Sequence, residues 1–197
     1  GCVVGTVFAF VIPLWKREAL AANSASYADL VANWIHTIGD AVRAEPEQRA
    51  AKLAEVRQAG TRARDGRQVA ITTFNTAMLE PPTDQLDTGA VGVVLSWIRR
   101  ASDAAIAAET ILRHDWPTTP VAAELADATE ADLRQAAVVM RSEDYSAELD
   151  AQLSRPTALA RKSIDEPTGD RVAALMARAE VSASAALRAS HQVVLNS

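Results

Sequence analysis

The chain has 197 residues, a formal net charge of -5, 49 % hydrophobic residues but only 5 % aromatic ones, and one cysteine. An acidic balance excludes a nucleic-acid-binding surface, which needs a basic face, and a lone Cys2 excludes a disulfide framework. With 41 Ala and 17 Arg against 3 Lys, 8 Gly and 8 Pro, strong helix formers dominate and the class is all-α.

Length limits the chain to one domain, or one domain with an appendage. Alanine is small and aromatics are few, so a core must come from close helix contacts over long distances. That predicts an elongated antiparallel bundle.

Residues 1–15, GCVVGTVFAFVIPLW, carry no charge, and Lys16, Arg17 and Glu18 follow at once. A spanning helix needs about 20 apolar residues, so the segment reads as the last part of a transmembrane helix. Trp15 stands where an indole sits at headgroup level, and Lys16 with Arg17 form the positive flank of a cytoplasmic side. Gly1 and Gly5 have the spacing that lets helices approach closely in lipid, and Pro13 is tolerated near a membrane helix end. A signal peptide would carry its charges before the apolar run. The competing reading is a core helix of a soluble protein.

From residue 16 to 43 the apolar positions Leu20, Tyr27, Val31, Trp34, Ile38 and Val42 recur at three- and four-residue steps. Ala44-Glu45-Pro46 stops that helix, and Pro46 suits the first turn of the next. So short a connection makes the two helices antiparallel neighbours.

A second helix over 47–79 carries Leu53, Val56, Ala63, Ala70, Phe74 and Met78, with a bend or close crossing expected at Gly60 and Gly66. Glu80-Pro81-Pro82 ends it. Asp84 can cap a third helix running through Leu86, Val93, Val94, Trp97, Ile98, Ala101, Ala105, Ala108, Ile111 and Leu112 to Asp115. These three give an up-down-up bundle.

Beyond Trp116-Pro117 the pattern breaks, with Pro117 and Pro120 ahead of a capping-box-like Thr129-x-x-Asp132. A fourth helix is predicted over 130–141, with Leu133, Val138 and Met140 on one face. One or two short helices and irregular chain are expected over 142–167, then a last amphipathic helix over 169–195 bearing Val172, Leu175, Met176, Ala179, Ala183, Leu187 and Val194.

The histidines are the first candidates for chemistry. His36 and Asp40 share a helix face, yet two ligands do not make a metal site; His114 with Asp115 sits at a helix end, and His191 has no acidic residue within a turn. No paired Glu-x-x-His arrangement suits a di-metal bundle. Arg57, Arg62, Arg64 and Arg67, with Asp65 among them, could meet an anionic substrate or lipid headgroups, but their positions spread around the helix and read as a solvated face. Trp34 and Trp97 lie in apolar stripes and read as core anchors. No catalytic, cofactor-binding or metal-binding residue is expected, and no enzyme activity.

The ordered combination of GCVVGTVFAFVIPLWKREAL, EVRQAGTRARDGRQVAITTFNTAMLEPP and LSWIRRASDAAIAAETIL, over residues 1–115, resembles the fusaric acid resistance and aromatic acid exporter family of bacterial inner-membrane proteins. The resemblance implies a cytoplasmic helical domain, residues 16–197, behind a membrane region, with an assembly or regulatory role in efflux of aromatic carboxylic acids. It also implies residence in the inner membrane, lipid contact through residues 1–17, and self-association or other transporter subunits as partners, while residues 116–197 match no family pattern. A membrane-anchored helical sensor or scaffold and a soluble helical interaction protein are the alternatives.

Overall fold

The computed structural model describes the backbone of residues 2–79, 88–114, 117–141, 158–165 and 169–195, and within these the side chains of all but residues 2–18, 192, 194 and 195. Among the described residues there are only helices: α1 (Cys2–Arg43), α2 (Pro46–Met78), α3 (Thr88–Arg113), α4 (Pro120–Arg141), α5 (Ala158–Asp165) and α6 (Arg171–Leu195). The side chains of the apolar start and its flank Lys16 and Arg17, the stop at Glu80-Pro81-Pro82, and Asp84, Leu86, Asp115 and Trp116 lie outside this description. Among the described residues no helix is long and apolar enough to cross a membrane.

The stripe read on α1 is the buried one: Leu20, Tyr27, Val31, Trp34 and Ile38 are inside, with Val42 at the margin. Pro46 opens α2 after a two-residue connection, since its missing N–H and fixed φ suit a first helical turn. Contacts between α1 and α2 step in opposite directions along the two helices. Trp34 meets Gly60, Leu30 meets Gly66, and Asn23 Nδ2 donates to Thr73 Oγ1 at 2.9 Å. The pair is antiparallel.

The three-helix expectation holds in part: α1 and α2 are antiparallel neighbours, but α3 packs chiefly on α6 and touches α2 only slightly. The strongest packing runs from α2 through α1, α4 and α6 to α3, and all five of these helices bury residues in one core. The last helix is therefore a wall of the core. On the α1–α4 seam His36 meets Glu130, Arg43 meets Asp127 and Arg141 meets Asp29, again stepping oppositely. Between α4 and α6 the step has the other sign: Thr119 meets Asp170 and Ser184 donates to Asp132. These two helices run parallel, which a long crossover permits and a tight turn does not. Residues 142–170 supply that crossover, and α5 lies within it against α6.

α4 begins ten residues before the predicted start. Thr119 and Pro120 form its entry, with Ala122 N–H bonding the Thr119 carbonyl, so Pro120 initiates where it was read as a breaker. Thr129 caps nothing: it is buried mid-helix and donates to the Leu125 carbonyl at 2.7 Å, while Asp132 receives Ser184 of α6. Leu133 and Met140 are buried, but Val138 is 52 % exposed. Met78 and Val93 also point outward, and Trp97 is half-buried beneath the Arg100 guanidinium, 4.5 Å from its ring.

Alanine makes up more than half of the buried apolar residues. A methyl is all that fits where helices cross closely, and Gly60 and Gly66 carry this to its limit on α2. A Cβ on Gly60 would lie 2.8 Å from the Trp34 ring, and one on Gly66 would lie 2.4 Å from Leu30 Cδ1. The first neighbour is a rigid, fully buried indole; the second is the end of a rotatable, half-buried side chain. Replacing a helical Gly by Ala gains about 1 kcal/mol of propensity, against about 1–3 kcal/mol for overpacking. Gly60→Ala should therefore lower stability by about 1–2 kcal/mol in urea unfolding, whereas Gly66→Ala should equal or exceed wild type by up to about 1 kcal/mol.

Candidate functional site

Because α2 follows α1 and diverges from α3, a groove of about 550 Å³ opens between them. Tyr27 of α1 lines it, with Arg67, Ile71 and Phe74 of α2 and Gly92, Leu95, Ser96, Arg99, Arg100 and Asp103 of α3. Gly92 matters for the shape, since a Cβ there would sit 3.0 Å from the Phe74 ring. Arg67 on α2 and Arg99 on α3 each stand seven residues from that contact, about 10 Å along their helices, and both act on Tyr27.

The groove is thus divided along its length. One end, around Ile71, Phe74, Gly92 and Leu95, is apolar; the other holds three guanidinium groups and one carboxylate. Arg99 reaches Asp103 at only 3.9 Å with both side chains more than half exposed, an ion pair worth little. Arg100 stacks on Trp97. Arg67 makes no ion pair among the described residues.

Tyr27 is 2 % exposed, and its hydroxyl is buried beside that of Ser102. Burial pushes its ionisation up; the Ser102 hydroxyl beside it and the charges of Arg67 and Arg99 pull the other way, and Asp103 adds to the rise. The phenol therefore stays protonated at neutral pH and can donate. A folded-state pKa raised above the ordinary 10.0 means that unfolding is favoured once pH passes about 10, where only the unfolded chain ionises freely. Tyr27→Phe should remove that alkaline loss, so its thermal midpoint, followed from pH 8 to 11, should fall less steeply than wild type.

The other candidates do not converge. Arg62 and Asp65 lie on the opposite side of α2, in a smaller groove of about 310 Å³ with Asn23 and Leu30. Arg64 covers the Trp34 ring from outside at 5.7 Å, and Arg57 bonds its own helix at the Leu53 carbonyl. Of the four arginines only Arg67 enters the main groove. Trp34 is fully buried, as a core anchor should be.

His36 Nδ1 lies 2.8 Å from Glu130, which also receives Arg134, while Asp40 is 4.0 Å from His36 Nε2 and accepts from Lys52. This is a surface network joining α1, α2 and α4. His114 bonds the Thr110 carbonyl at the end of α3, and His191 is buried on α6. Among the described residues no group of His, Cys, Asp and Glu has the geometry to hold a metal ion.

Sequence reading missed two features. The α2–α3 groove gathers Arg67 and Arg99 from 32 residues apart in the chain, and no local pattern announces that. Asp170 binds Thr119 N–H at 2.6 Å and Thr119 Oγ1 at 2.7 Å while capping α6 at Ala173 N–H, 2.9 Å away. The Gly169-Asp170 pair before an apolar run was its only sequence signal. No family model, curated protein or solved structure matches the chain.

Proposed function

We propose that this chain is the cytoplasmic helical domain of an inner-membrane exporter of the fusaric acid resistance and aromatic acid exporter type. Residues 1–15 end a transmembrane helix, and the elongated bundle of residues 16–197 serves assembly or regulation. The observation that supports this most directly is α1, one helix from Cys2 to Arg43. Its first part carries the uncharged run and its second part carries Trp34, Ile35 and Ile38 in the core of the bundle. A rigid rod of this kind passes a tilt or rotation at one end to α2, α3 and α4, which all pack on the other.

The test is the polypeptide encoded by the whole gene. Several further apolar segments of about 20 residues ahead of Gly1, with retention in the membrane after alkaline carbonate extraction, are expected. A polypeptide that fractionates with soluble proteins would overturn the reading. The α2–α3 groove favours a second one, a membrane-anchored sensor in which the bundle takes up a ligand. A single upstream span would select it.

A further inference from the structure

We propose that the groove between α2 and α3 binds a single-chain amphiphile with an anionic head, of the medium-chain fatty acid class. This goes beyond the exporter reading and does not depend on it. The division of the lining carries the argument: Arg67 and Arg99 both lie near Tyr27, whereas Phe74 packs at Gly92, with Ile71 and Leu95 completing the apolar walls. A ligand satisfying both ends must itself be charged at one end and apolar along the rest.

Its shape follows from the walls. The lining runs from Gly92 to Asp103 on α3, roughly 16 Å at about 1.5 Å per residue, in a crevice bounded by two helices. A linear chain fills such a crevice along its length, whereas a compact ring leaves much of it empty. The sign of the head follows from three guanidiniums against one carboxylate, local charge opposite to the net -5 of the whole chain. Arg67 and Arg99 would grip a carboxylate from two sides, with geometry that suits planar guanidinium donors.

Tyr27 marks where the charged groups gather. Its side chain lines the groove, and Arg67, Arg99 and Asp103 all lie close enough to act on its phenol.

Titration calorimetry of the 197-residue chain with dodecanoate, dodecanol and benzoate tests the assignment. Dodecanoate is expected to bind at one site, at least about tenfold more tightly than either dodecanol or benzoate, each of which lacks one half of the pattern. The double variant Arg67→Gln, Arg99→Gln, at two solvent-accessible positions, should weaken dodecanoate about tenfold or more and leave dodecanol unchanged. No dodecanoate binding, binding indifferent to the arginine pair, or benzoate bound as tightly as dodecanoate would each overturn the proposal. The exporter reading stands or falls separately, on membrane retention.

Discussion

Replacing Trp34 with alanine should lower the free energy of unfolding by about 3–5 kcal/mol, the range for deleting a large buried aromatic side chain. For a domain of this size that is a fall of roughly 10–15 °C in melting temperature. The indole is the largest side chain that is fully buried, and it is held in a slot whose floor is Gly60. Ala59 and Ala63, buried on either side of Gly60 on α2, have no side-chain torsion with which to move into the space. Little collapse means that most of the cavity cost remains. Trp34→Phe should cost much less than its volume alone suggests, because it also removes an indole N–H buried without a partner among the described residues, a penalty of about 1–3 kcal/mol. In the Trp34→Phe background Gly60→Ala should become nearly neutral. Urea unfolding of the four chains measures this coupling, and additive effects would show that Trp34 and Gly60 do not set the α1–α2 distance.

Asp170→Ala should cost about 2–4 kcal/mol, although it changes one side chain outside the apolar core. The loss of an N-cap accounts for about 1 kcal/mol, and hydrogen bonds to a charged acceptor contribute about 1.5–3 kcal/mol. Only 6 % of Asp170 is exposed, so water replaces little of what is lost. Both oxygens are used: one caps α6 and the other holds the Thr119 amide and hydroxyl at the entry of α4. Asp170→Asn can keep the cap but must present either an amide nitrogen or an already used oxygen to Thr119. Its loss should be intermediate, about 1–2 kcal/mol. Amide exchange should locate the damage at the first turns of α4 and α6 together; opening of α6 alone would show that Asp170 is an ordinary cap.

Some of this could be read along the chain. Periodicity located the buried stripe of α1 because Leu20, Tyr27, Val31, Trp34 and Ile38 are spaced by the helix itself. Pro46 placed the start of α2 because its ring acts on its own backbone. Gly60 and Gly66 signalled a close crossing because glycine inside a helix needs a compensating contact. Each of these causes acts within a few residues.

Local rules misled where a residue answered to a distant partner. Thr129 and Asp132 have the spacing of a cap, yet Thr129 bonds its own helix and Asp132 receives a serine from α6. Pro120 reads equally as a stop and a start, and the choice was made by Asp170, which holds Thr119 in place from 51 residues away.

Sequence by itself determined that the chain is helical, that its core is built from methyl groups, and which face of α1 turns inward. Tertiary structure decided that α4 and α6 are parallel walls of that core, that α2 packs chiefly on α1, and that Arg67 and Arg99 line one groove. The reason is that propensity and periodicity are properties of neighbouring residues, whereas helix order, direction and register are fixed by contacts that close only when distant segments pack.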